Sequence, residues 1–329
     1  MSTSTQPPKP RRRWYQFSLL TRLIVMSMLV VGVAWLASIA REARRQRIVV
    51  TEFLELGATI KFSDEQPSRP EMFDTDYLGR IEEITLWLPD PDDETTWFAN
   101  DFLRPQRFNA EIGDVSWIAA CKNLKWLQLV RIGLSDVSWL AELRHLETLN
   151  LSENPISDVS SIRELRKLNW LVLDNTQVAD LSPLVGLKNL RTLELRNTKV
   201  VDVSPLVELK KLETLDLANS PVSDVSALVD WKGNLKRLNL SGTQVRDISS
   251  LAKLNTLELL SLSNTQVADL SPLAELNSLW YLNLEDTKVS REDVEWLESK
   301  LPNCGIVVTL SSEEDASLPP DHQPADEDD

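Results

Sequence analysis

Residues 187–208 read LKNLRTLELRNTKVVDVSPLVE, and this stretch decides the fold. Apolar side chains fall at Leu187, Leu190, Leu193, Leu195, Val200, Val203 and Leu206, with Thr198, Asp202 and Ser204 between them. The same skeleton begins at Cys121, Leu143, Leu165, Leu209, Trp231, Leu254 and Leu276, which gives eight in-phase copies of 22 residues. The copy from Trp231 is one residue longer, with the extra residue near Gly233-Asn234. An irregular earlier copy places Ile81, Ile84 and Leu86 in its strand and Ile112, Asp114, Val115, Ser116 and Ile118 in its turn, with an insertion at 89–108 between them. Leu193 and Leu195 alternate, so both side chains of a short extended segment point to one face. One copy cannot cover that face. Stacked copies bury it in a continuous core and pair their strands in parallel.

The pattern L-x-x-L-x-L-x-x-[N/T]-x-[L/V] resembles the leucine-rich repeat signature. The Asn usual at its turn survives only at Asn154; Ile132, Thr176, Thr198, Ser220, Thr243, Thr265 and Thr287 occupy the other copies. A hydroxyl makes fewer hydrogen bonds than an amide, so the turns must be satisfied partly from elsewhere. Asp136, Asp158, Asp180, Asp202, Asp224, Asp247 and Asp269 recur in register, and Ser-Pro follows several of them. Such a carboxylate ladder has a calcium-binding reading, but Asp, Ser and Pro in this order read first as caps of short helical turns. About seven residues separate Asp202 from Leu209, which leaves room for 3-10 turns and none for long helices. The expected fold is therefore an α/β solenoid: a right-handed leucine-rich repeat superhelix with a parallel concave sheet and 3-10 turns on its convex side.

Outside the repeats the chain changes character. Of 329 residues, 35 are Lys or Arg and 50 Asp or Glu, a net charge of −15. Residues 1–47 nevertheless hold nine Lys/Arg against Glu42 alone. Leu23 to Ala40 runs for 18 residues without a charge, about 27 Å as a helix, and Leu19–Arg22 extends it toward the ~30 Å of a bilayer core. Trp14, Tyr15 and Trp35 sit near the two expected interfaces. The reading is a transmembrane helix at 19–40 that acts as a signal-anchor, with a cleaved signal peptide ending near Ser38-Ile39-Ala40 and a soluble helix as alternatives. Basic residues flank both ends almost equally, so the positive-inside rule decides little. The expected orientation, amino terminus cytoplasmic and repeats extracytoplasmic, rests on the usual behaviour of an isolated amino-terminal span.

The organisation expected is a basic tail at 1–18, the span at 19–40, a stalk and cap at 41–78 and an irregular first repeat at 79–120. Eight repeats follow at 121–289, then a carboxy-terminal cap at 290–310 and an acidic disordered tail at 311–329. Residues 42–56 read as a helix ended by Gly57, Ala58–Phe62 as a strand, Ser290 as the N-cap of a closing helix, and Ile306–Val308 as a last strand. Residues 121–289 resemble the repeats of internalin-like proteins. With RRRWYQFSLLTRLIVMSML, REARRQRIVVTEFLELGATIKF and LESKLPNCGIVV at the ends, the chain also looks like the membrane-anchored leucine-rich repeat proteins of planctomycete bacteria. That resemblance implies an anchored, extracytoplasmic solenoid and no reaction.

The residues for chemistry are sparse. There is no G-x-S-x-G, H-E-x-x-H, C-x-x-C or Gly-rich phosphate loop, and His145 and His322 are the only histidines. Cys121 fills a leucine slot, and Cys304 lies beyond the last copy, roughly 35–40 Å away by strand spacing, too far for a disulfide. An acidic chain does not displace counterions from phosphates, so nucleic acid is excluded as a partner. No enzyme activity, metal or cofactor is expected. Function falls to the exposed strand positions, where Trp87, Trp126, Gln128, Val130, Trp170, Val172, Asp174, Glu194 and Arg196 gather as the candidate partner-binding surface, aromatic residues being frequent interface anchors. The insertion, with Trp97, Phe98, Phe102 and Phe108, is the competing cover for the tryptophans. The expectation is a membrane-tethered module that binds a protein or peptide, with a structural or adhesive envelope spacer, and more remotely an envelope-polymer hydrolase, as alternatives.

Overall fold

The computed structural model describes residues 54, 58–62, 81–87 and 115–309. The span at 19–40, the basic tail, the insertion and the acidic tail lie outside the described residues, as does the 42–56 helix apart from Leu54, which is helical. Among the described residues no helix is long and apolar enough to cross a membrane.

Eleven short strands form one sheet in chain order: β1 (Thr59–Phe62), β2 (Ile81–Trp87), β3 (Trp126–Val130), β4 (Thr148–Asn150), β5 (Trp170–Val172), β6 (Thr192–Glu194), β7 (Thr214–Asp216), β8 (Arg237–Asn239), β9 (Leu259–Ser261), β10 (Tyr281–Asn283) and β11 (Gly305–Val307). β1 lies antiparallel on β2, and every other neighbouring pair is parallel. The pairing joins equivalent positions, as in Leu127↔Leu149↔Leu171↔Leu193, so the repeat period becomes the register of the sheet. β11 begins one residue before the expected Ile306. The leucines of each coil are buried, Cys121 among them. Burial without a partner pushes the Cys121 thiol up to about 12, which leaves it an inert packing residue.

Opposite the sheet, eight 3-10 turns follow the strands among the described residues, and each opens on a serine: Ser116, Ser138, Ser160, Ser182, Ser204, Ser226, Ser249 and Ser271. The recurrent Asp works differently from an N-cap. The residue in the cap position is apolar, as at Val137 or Val203, and points into the core. The carboxylate one residue earlier accepts the serine N–H instead, at 2.7–2.8 Å in all seven copies from Asp136 to Asp269. The aspartates are thus spent on backbone groups, and no cluster of metal-ligating side chains occurs among the described residues.

A second constraint recurs at the end of each strand. Arg131, Glu153, Asn175, Asn197, Asn219, Gly242, Asn264 and Asp286 all have φ between 52° and 67°. Asn tolerates this left-handed region better than other side-chain-bearing residues, which explains an asparagine at this position in four copies. Gly242 has a further reason to lack a side chain, because a Cβ there would fall 2.1 Å from the Asn219 Oδ1.

The turn residue one position later shows where the missing amide bonds went. Thr176, Thr198, Thr243, Thr265 and Thr287 each donate a hydroxyl to the carbonyl three residues earlier, within their own coil. The link to the preceding coil is made by the next backbone N–H: Gln177 to Ile156, Lys199 to Val178, Gln244 to Val222, Gln266 to Val245 and Lys288 to Val267. Two copies have proline there, Pro155 and Pro221, and proline has no N–H. In those copies the turn side chain itself bridges the coils. Asn154 accepts from the Ile132 and Leu134 N–H groups and donates to the Leu129 carbonyl, while Ser220 donates to the Leu195 carbonyl. The one retained Asn therefore accompanies a proline.

The carboxy-terminal end is closed by α1 (Arg291–Lys300), whose N-cap Ser290 accepts the Asp293 N–H and whose Val294 and Leu297 are buried.

Asn154→Thr should destabilise the fold by about 2–4 kcal/mol, since it strands buried backbone groups of the preceding coil. Adding Pro155→Gln restores the backbone link used elsewhere and should recover most of that loss in urea unfolding of the full chain. Equal stability of the single variant and the parent, or no rescue, would refute the compensation.

Candidate functional site

The outer face of the sheet is not uniform. Along the first exposed column, Trp126 and Trp170 flank Thr148; they are 39% and 44% exposed, while Thr148 is buried. Between them and the strand ends lies a depression of about 400 Å³ lined by Trp126, Gln128, Val130, Thr148, Asn150, Ser152, Glu153, Trp170, Val172, Asp174, Asn175 and Glu194. It collects seven of the nine residues singled out in the sequence. Arg196 is exposed but outside the lining, and the side chain of Trp87 lies outside the described residues, although its backbone pairs with Val130.

Two expectations need correction. Val130 and Val172 are not exposed contacts; they are 9% and 8% exposed and form the floor. Neighbouring strands stand about 4.8 Å apart, so long side chains on either side shield a short one between them. Glu153 and Asn175 were not singled out, yet both line the depression. They occupy the left-handed position that ends each strand, and the recurrence of Asn there was the available signal.

The site is acidic on one side. Asp174 is partly buried, and desolvation raises its carboxyl above the usual range against the Arg196 N–H it accepts at 2.8 Å. Burial likewise raises Glu194, and the nearby Asp174 charge adds to this, while the Arg196 charge and, less, the Trp170 indole N–H oppose it. Two other carboxylates are already neutralised. Asp216 accepts from Arg196 Nε at 2.7 Å and from Asn239 Nδ2 at 2.9 Å, and Glu153 pairs with Arg131 in the adjoining coil. Elsewhere, exposed His145 donates its Nδ1–H to the Lys122 carbonyl at 2.9 Å and has no acidic or nucleophilic partner among the described residues.

Around the sheet, charges of opposite sign link one coil to the next: Lys125 pairs with Glu82, and Arg191 and Lys236 both pair with Glu213. Pairs this exposed contribute little stability each, but their order disfavours a one-coil slip.

Profiles described as Leucine Rich repeats (2 copies) match residues 166–208, 188–230 and 233–275, and one described as Leucine Rich Repeat matches 145–166. Curated protein sequences give no significant match. Among solved structures, internalin C2 of Listeria monocytogenes is similar at a TM-score of 0.53 and 28% identity, over 58% of this chain and 83% of that one. Internalin F of the same organism gives 0.49 and 24%, over 60% and 66%, and a leucine-rich repeat protein of Leptospira interrogans gives 0.45 and 22%, over 58% and 62%. The chain thus carries leucine-rich repeats with internalin-like structural neighbours.

A carboxylate whose folded pKa is raised destabilises the fold while ionised, and stability returns as pH falls through that pKa. Glu194→Gln should therefore raise the unfolding temperature at pH 7 by about 1–3 °C, and the gain should vanish near pH 4. A lower midpoint at both pH values would contradict the electrostatic reading.

Proposed function

We propose that this chain is a non-catalytic module that binds a protein or peptide on the outer face of its sheet while residues 19–40 hold it to a membrane. The observation that carries the reading is the depression between Trp126 and Trp170, where two exposed indoles stand over a valine floor beside partly buried acidic groups. Exposed tryptophans around a desolvated centre are the composition of interface hot spots. Leucine-rich repeats supply extended binding surfaces of this kind, which supports the assignment. The membrane tether is supported by the uncharged run Leu23–Ala40 and its aromatic and basic flanks. In this reading the amino terminus is cytoplasmic and the repeats are extracytoplasmic.

Crosslinking in the native host followed by mass spectrometry should recover a partner with the parent chain. Trp126→Ala with Trp170→Ala should lose that partner while the unfolding temperature changes by no more than about 2 °C, since both side chains are substantially exposed. Equal recovery by the double variant would remove the site assignment. Protease added to intact cells with a permeabilised outer layer should digest the repeats and spare the first 18 residues; the reverse pattern would invert the orientation.

A further inference from the structure

The depression carries more negative than positive charge, the Arg196 guanidinium offsetting Asp174 and Glu194 only in part, and this bears on what it takes. Four carboxylates surround it or adjoin it: Glu153, Asp174, Glu194 and Asp216. Arg131 pairs with Glu153, and Arg196 directs its Nε to Asp216. Asp174 and Glu194 remain without a cationic side chain in a direct salt bridge among the pairs described, in a place where burial already disfavours their ionised forms. Both are half-buried, so an incoming cation meets two charges that have already lost part of their hydration.

The indoles add a second, independent preference. Trp126 and Trp170 are two strands apart in register, with Thr148 between them. Two strand spacings amount to about 9.6 Å, so a group seated over Thr148 lies about 4.8 Å from either tryptophan position. A cation is attracted to an aromatic face over ~6 Å from its ring centre, and the two indoles rise from positions on either side of Thr148. Thr148 lines the depression together with both indoles and is itself only 8% exposed, so the indoles form its walls and Thr148 part of its covered base.

Resting on the proposed binding role, we infer that the partner is a peptide segment that inserts an arginine side chain between Trp126 and Trp170, its guanidinium directed to Glu194 and Asp174. A planar guanidinium both stacks on indoles and bridges carboxylates, which a lysine ammonium does less well. The apolar stem of the arginine would cover Val172 on the floor.

The test uses the full chain in detergent micelles, labelled with 5-fluorotryptophan, the Trp126 and Trp170 resonances being assigned from Trp→Phe variants. The probes are the capped tripeptides Gly-Arg-Gly and Gly-citrulline-Gly, which differ by the charge of one isosteric group. The arginine peptide should shift both resonances saturably, and the citrulline peptide should bind at least about tenfold more weakly. Asp174→Asn with Glu194→Gln, which keeps shape and hydrogen-bonding capacity, should abolish that difference. Equal binding of the two peptides, binding of neither, or a preference that survives the double variant would overturn the inference. A partner recovered by crosslinking that depends on Trp126 and Trp170 but not on Asp174 and Glu194 would overturn it while leaving the binding role intact.

Discussion

Each coil leaves a leucine face and a row of backbone donors and acceptors unsatisfied until another coil is laid against it. Everything else in this structure follows from that dependence. A three-residue strand such as β6 has no stability of its own, and its ladder hydrogen bonds are made with β5 and β7. The 22-residue period is therefore a spacing rule. It brings like residues into contact, so a substitution in one coil is answered in the next.

The turn column shows how local that answer is. Where a backbone N–H is available after the turn, a threonine hydroxyl donated within its own coil suffices. Where proline removes the N–H, the side chain has to reach across, and the amide of Asn154 or the hydroxyl of Ser220 does so. The aspartates before the 3-10 turns from Asp136 to Asp269 obey the same accounting of backbone groups, each accepting a serine N–H. In the coils from β3 to β6 the outer face departs from this economy: there, Trp126 and Trp170 are left exposed and Asp174 and Glu194 are held partly out of water.

The stack itself was legible in the sequence because its signal is repeated eight times and its physics is one-dimensional. The strand of any copy, the serine of each turn and the N-cap Ser290 could be placed from one template. The candidate site was legible in its residues and less so in their depth. Gln128, Trp126, Trp170, Asp174 and Glu194 line one depression as their columns implied, whereas Val130 and Val172 sank to its floor, because shielding depends on the lengths of neighbours in adjoining coils and not on the pattern within one. Glu153 and Asn175 escaped notice for a related reason. Their role stems from a left-handed backbone at the strand end, and the recurring Asn that marks it sits one place before the turn position that drew attention.

If the coils from β3 to β6 are where this protein meets its partner, contact should follow position along the stack and not chemistry common to all copies. Gln128 and Asn239 occupy the same column, the first inside the depression and the second outside it, four strands beyond Asn150. Placing a photo-crosslinking amino acid at each position of the full chain, in cells of the native host, compares them directly. Adducts at 128 with none at 239 are the expected result; equal adducts at both positions, or adducts at 239 alone, would contradict a site localised between Trp126 and Trp170.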